Sequence, residues 1–225
     1  PKHYFISASG NKKNFTKLNL FKVSKSLKEE QKKYKIFLSG GDTVNSNKLS
    51  FSITTIGNAN NIIYRNKAKI NDDIYVTGNL GDSYIGLKIL QKKLYLNKEL
   101  VKYFVDKYYK PNLQYALVSR LNKIANTSMD ISDGLFSDIE KLINKQKLSY
   151  EIDIDKIPIS KNLIKLINSL KLKKESLISR GDDYQILFTA DKSKNRIIQL
   201  IAKKLKIKIT KIGTIKKQTD HPNII

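Results

Sequence analysis

Short apolar runs of strand length recur along this whole 225-residue chain, and stretches of helical periodicity separate them. Residues 3–9, 34–38, 49–56, 74–77, 150–154, 186–189 and 207–212 read as strands, several of them alternating apolar with polar side chains. Helical patterns fall at 19–33, 115–124, 135–145, 158–170 and 197–205. A further helix follows Gly81, with Ile85, Leu87, Ile89 and Leu90 on its apolar side and Asp82 or Ser83 as its cap. Strands mixed with helices in this way argue for α+β layers rather than a purely parallel, doubly wound sheet.

Composition removes several kinds of chemistry. With no cysteine there is no disulfide framework, no thiolate nucleophile and no cysteine-ligated zinc, which leaves oxygen ligands and hard cations such as Mg2+. No apolar run approaches the roughly 18 residues of a membrane span, so the expectation is a cytoplasmic protein without a membrane partner. The formal charge of +23 suggests nucleic acid. However, Arg65, Arg120, Arg180 and Arg196 are the only arginines among 43 basic residues, and the lysines spread along the whole chain. Base readout and bidentate phosphate clamping favour arginine, so the reading is a solvated lysine-rich surface with no specific nucleic-acid partner.

Three motifs can carry chemistry. In Gly40-Gly41-Asp42-Thr43 two glycines let the backbone turn sharply after a strand, and Asp42 offers a hard oxygen ligand; on local grounds a plain turn between strands is the stronger reading of the motif taken alone. Asp130-Ile131-Ser132-Asp133-Gly134 precedes a helix. If the segment begins to wind, Asp130 and Asp133 can face one ion while Ser132 reaches a phosphate oxygen; alternatively Ser132 or Asp133 is only a cap. Arg180-Gly181-Asp182-Asp183-Tyr184 leads into an apolar strand and reads, on local grounds, as a solvated turn.

The order and spacing of these pieces, with Tyr75-Val76-Thr77-Gly78-Asn79-Leu80-Gly81-Asp82-Ser83 between the first two and Leu187-Phe188-Thr189 after the third, resemble the thiamine-monophosphate kinase family. That family's superfamily also holds aminoimidazole ribonucleotide synthetase, selenophosphate synthetase and a hydrogenase maturation protein. The resemblance implies an α+β, PurM-like two-domain architecture. It also implies Mg2+- and ATP-dependent conversion of thiamine phosphate to thiamine diphosphate. Carried over by position, Gly41, Asp42, Arg65 and Ser132 would contact ATP, Asp42, Asp130 and Asp133 would hold magnesium, and Asp182 would contact thiamine phosphate. The Thr77–Ser83 segment is expected to shape the fold.

The family's N-terminal acidic segment has no counterpart before Pro1. The expectation is therefore a truncated ATP-binding domain over residues 1–64 and a C-terminal α+β domain over 65–225. Asp182 stands where the family has glutamate, Arg180 stands where it has glycine, and residues 220–225 lack the family's aromatic tail. Family members pair through N-terminal strands, which implies a homodimer. Two alternatives remain open here: a non-catalytic remnant that binds nucleotide or a partner, and a basic nucleic-acid-binding protein.

Overall fold

The computed structural model describes residues 1–218 and 222–225, so Asp220 and His221 of the terminal segment lie outside the described residues. It divides into two compact units, Pro1–Asn61 and Ile62–Ile225.

The first unit is a β-α-β crossover with an added strand. β1 (His3–Gly10) runs parallel to β2 (Phe37–Asn45) and antiparallel to β3 (Ser50–Ile56), in the order β2-β1-β3. Between β1 and β2 lies α1 (Lys17–Tyr34). Its start is set by Thr16, whose side chain accepts from Asn19 N, and it ends at Lys35 in the left-handed region.

The two glycines were expected to stop the second strand near residue 38. Instead β2 continues through them to Asn45. A bulge absorbs the irregularity: Tyr4 pairs with Leu38 but Phe5 with Gly40, leaving Ser39 as the extra residue. Gly41 then lies so close to β1 that a Cβ would sit 1.9 Å from the Ile6 carbonyl oxygen. The glycine is required by strand pairing and not by a turn. Apart from Tyr4 and Gly10, no residue of this unit is buried.

The second unit is built on a six-stranded sheet of order β5-β7-β4-β8-β6-β9. The strands are β4 (Asp73–Thr77), β5 (Thr127–Asp130), β6 (Leu148–Ile152), β7 (Ile186–Ala190), β8 (Ile209–Lys217) and β9 (Asn223–Ile224). Every pairing is antiparallel except β6 with β9. The helices are α2 (Asp82–Leu90), α3 (Lys98–Tyr109), α4 (Tyr115–Leu121), α5 (Leu135–Leu142), α6 (Lys161–Leu170), α7 (Lys174–Ile178) and α8 (Asn195–Leu205). β5, α3 and α7 escaped the sequence pattern: β5 is four residues long and polar at three of them. Among the described residues no helix is long and apolar enough to cross a membrane.

Alternation in β4 divides the interior in two. Ile74 and Val76 join Leu187, Ile212 and Ile215 against Leu135 and Ile139 of α5. Tyr75 points the other way, stacks on Phe188 at 5.2 Å and packs with Leu117 of α4 and Ile198 of α8. The sheet is thus covered on both faces, and each fully buried aliphatic side chain contributes about 2 kcal/mol. A third cluster, Ile85, Phe104, Leu163, Leu166 and Leu177, binds α2, α3, α6 and α7 together.

Candidate functional site

The paired strands β5 and β7 run out of register pairing at Asp130 and Ile186 into two loops, 131–134 and 179–185. Backbone bonds fasten these loops together. Ile131 N donates to Gln185 O (2.8 Å), Tyr184 N to Ile131 O (2.9 Å) and Asp182 N to Ser132 O (3.0 Å). Each loop contributes a glycine where the other passes closest: a Cβ on Gly181 would lie 1.8 Å from Ser132 O, and one on Gly134 would lie 2.2 Å from Ser179 O. Two motifs separated by almost fifty residues therefore form one structure. Asp130, Ser132 and Asp133 stand on one side of it and Asp182 on the other.

Two buried carboxylates hold this structure, and sequence reasoning missed both. Asp138, in the first turn of α5, is fully buried; its Oδ2 accepts from Ser132 N (2.9 Å), Asp133 N (2.9 Å) and Gly134 N (3.1 Å). Three convergent N–H donors make this a strongly held acceptor. The expected winding of 130–134 into the helix, and the expected cap by Ser132 or Asp133, give way to this arrangement: α5 begins after Gly134 with no side-chain cap. A signal was present, because Asp138 interrupts the apolar face formed by Leu135, Ile139 and Leu142.

Asp183 is the second. The doubled acid reads as a solvated turn, yet Asp183 is only 4% exposed. Its Oδ2 accepts from Gly81 N (2.7 Å) and its Oδ1 from Ser83 N (3.4 Å), so it serves the start of α2 in place of the expected Asp82 or Ser83 cap. Burial pushes its pKa up to about 7, against the pull of the Gly81 and Ser83 amides and with a smaller push from the charge of Asp82. Asp82 faces inward from α2, where it accepts from Ser160 Oγ (2.7 Å) and Tyr103 Oη (2.9 Å); burial raises its pKa too. Thr77 completes the seam, donating to Gln185 Oε1 (3.0 Å) and accepting from Ile186 N (2.8 Å). The Thr77–Ser83 segment thus docks the 183–185 loop.

Between two such anchors the chain is strained. Asp182 (φ 68°) and Tyr184 (φ 50°) both occupy the left-handed region, at a cost of order 1–3 kcal/mol each. Tyr184 is 40% exposed. Its hydroxyl pKa is raised, first by burial and then by the charges of Asp182, Asp130, Tyr108 and Asp133.

Lys141, one turn along α5, pairs with both Asp133 and Asp138. Among the described residues no group of three or more His, Asp or Glu side chains is arranged to hold a metal. The donors at hand still suit magnesium. Asp130 and Asp133 offer exposed hard oxygens, and magnesium is commonly held by one or two carboxylates together with waters and substrate phosphates.

The other expected residues are distributed as follows. Ser132 is half-buried; its amide is consumed by Asp138, so its hydroxyl is the group left to meet a phosphate. Arg65 is exposed near the beginning of the second unit. Gly41 and Asp42 belong to the first unit, where Asp42 is exposed on β2 with Oδ1 accepting from Thr43 N (2.7 Å).

Comparison with known proteins matches residues 69–221 to the family model described as AIR synthase related protein, C-terminal domain. The thiamine-monophosphate kinase of Buchnera aphidicola subsp. Schizaphis graminum is 38% identical over 207 residues, which are 90% of this chain and 63% of that protein. The thiamine-monophosphate kinase of Bacillus subtilis is 30% identical over 232 residues, covering 100% of this chain and 70% of that protein. The solved structure of AaThiL complexed with AMPPCP and TMP has a TM-score of 0.85 at 26% identity, covering 100% of this chain and 69% of that one. The mixed helix-and-sheet fold is that of the superfamily, and the chain belongs to the thiamine-monophosphate kinase family.

Proposed function

We propose that this chain takes part in the magnesium-assisted transfer of a phosphoryl group from ATP to thiamine phosphate, yielding ADP and thiamine diphosphate in the cytoplasm. The observation that carries this reading is the fastening of loop 131–134, which bears Ser132 and Asp133 directly after Asp130, to loop 179–185, which bears Asp182. The neighbouring fold complexed with AMPPCP and TMP supports a nucleotide and a thiamine phosphate as the two ligands.

The chemistry asks little of a general base, because the acceptor is already an anionic phosphate. The difficulty is bringing two polyanions together in line. In this reading Asp130 and Asp133 would hold magnesium in the second unit and Asp42 would be a magnesium ligand of the first, and the metal, when bound, would neutralise charge on the phosphates. Ser132 donates its hydroxyl to a nucleotide phosphate oxygen, Arg65 adds a cationic contact, and the backbone beside Gly41 lies along the nucleotide. Asp182 accepts from, or faces the charge of, the thiamine moiety. Residues 1–64 then serve as part of the ATP-binding domain, and a pair of copies forms the working unit.

The test is conversion of thiamine phosphate to thiamine diphosphate by the purified chain with ATP and magnesium, with binding of each substrate measured separately. Magnesium- and ATP-dependent product is the expected result. Binding of both substrates with no product favours the non-catalytic reading; binding of neither sinks the proposal.

A further inference from the structure

We infer that Lys141 is a built-in competitor at the proposed magnesium site, a side chain that partly neutralises Asp133 and so favours magnesium carried in by nucleotide phosphates over the bare ion. This rests on the proposed function and adds to it the residue that sets how tightly the metal is held. Lys141 lies on α5, where its Nζ donates to the carboxylates of both Asp133 and Asp138, the latter at 2.9 Å.

Stability does not account for the first of these contacts. Asp138 is already anchored by three amides on Oδ2, and its Oδ1 by itself gives Lys141 a fully buried partner. The Asp133 backbone is fixed by that same anchor, through its amide. What Lys141 reaches beyond Asp138 is a carboxylate on a side chain that is 65% exposed, and ion pairs at such positions contribute little to folding. The contact does change what Asp133 offers to a metal. Holding the carboxylate in one orientation helps a ligand, while an ammonium at contact distance takes one of its oxygens and repels a second cation. The repulsion outweighs the orientation, because only a short side chain is being ordered whereas the fixed charge acts on both charges of a divalent ion. Magnesium held by one or two carboxylates takes its remaining ligands from water and substrate phosphates. A site whose Asp133 is shared with Lys141 therefore depends on those phosphates more heavily than its carboxylates alone would require.

The experiment titrates Mn2+ alone into the full chain and reads the free ion by electron paramagnetic resonance, with the melting temperature recorded for each variant. Lys141→Met removes the charge at nearly constant length and is expected to bind Mn2+ about tenfold more tightly, while Lys141→Arg keeps the charge and stays within about twofold of the unaltered chain. Adding Asp133→Asn to Lys141→Met should abolish the gain, and ADP should narrow the difference between Lys141→Met and the unaltered chain. Weaker Mn2+ binding by Lys141→Met at an unchanged melting temperature overturns the inference and makes Lys141 an orienting group. An unchanged affinity, or a gain that survives Asp133→Asn, overturns it in favour of a surface ion pair, and the proposed function still stands if Mn2+ binding is lost on Asp130→Asn. A difference as large with ADP as without it overturns the link to nucleotide. If neither the unaltered chain nor Lys141→Met binds Mn2+, the magnesium assignment itself fails and this inference falls with it.

Discussion

The two units draw on the same residue types and use them in opposite ways. In the first, Gly41 and Asp42 sit on a strand whose residues are all exposed, and the cleft of ≈ 960 Å³ between α1 and the sheet is lined by Ile6, Phe15, Leu20, Val23, Leu38 and Phe51 without closing into a core. In the second, glycines and acids of the two loops are backed by three apolar clusters, and Asp138 and Asp183 are themselves interior. Ordering a residue costs about 1–2 kcal/mol of backbone entropy, which burial must offset. A Gly-Asp motif is therefore held rigidly where an interior stands behind it, and only by backbone pairing where none does.

The largest expected consequence is a difference in local stability. In native-state hydrogen exchange, amides of β1 to β3 should exchange about a thousandfold or more faster than those of β4 and β7. Trypsin, offered lysines throughout, should clear residues 1–61 first and leave a fragment beginning near Ile62. Equal protection in both units, persisting on dilution, would break the comparison.

A matched pair of substitutions sharpens it. Gly181→Ala and Gly41→Ala create the same clash on paper, 1.8 Å from Ser132 O and 1.9 Å from Ile6 O. In the second unit the clash is with a loop pinned on both sides, and Gly181→Ala should lower the main thermal transition by about 3 kcal/mol or more. Gly41→Ala should disturb β1–β2 pairing while leaving that transition in place. Calorimetric melts of the two variants decide the matter; equal losses would mean that the first unit unfolds together with the second.

This contrast also explains what could be read in advance. Long periodic elements were legible, since α5 and α8 announce their buried faces through Leu135, Ile139, Ile198 and Ala202. The α+β class followed from them. What could not be read was which acids lie inside. Asp182 and Asp183 are neighbours of identical chemistry, and only the docking of α2 onto the loop, through atoms about a hundred residues away in sequence, makes one of them interior. The same holds for Gly40 and Gly41, where the approach of β1 decides between a turn and a bulge.

A further expected effect concerns pH, and it follows from the interior acids of the second unit; residues 1–61 contain no buried carboxylate. Burial lifts Asp183 from 3.8 to about 7 in the folded chain, while the unfolded chain keeps the ordinary value. Between those values the folded state holds a proton that the unfolded state has released. Stability is then fully present below about pH 4 and falls as pH rises toward 7, with a slope of at most about 1.4 kcal/mol per pH unit from this group. Asp82, shifted in the same direction, adds to the slope. Asp183→Asn carries no proton to lose, so urea midpoints measured from pH 4.5 to 7.5 should decline less steeply in the variant, without becoming flat. The slope is the quantity to compare, because the new amide also replaces an acceptor facing Ser83 N and shifts the absolute stability at every pH. Identical slopes in both proteins would mean that the Gly81 and Ser83 amides keep Asp183 ionised despite its burial.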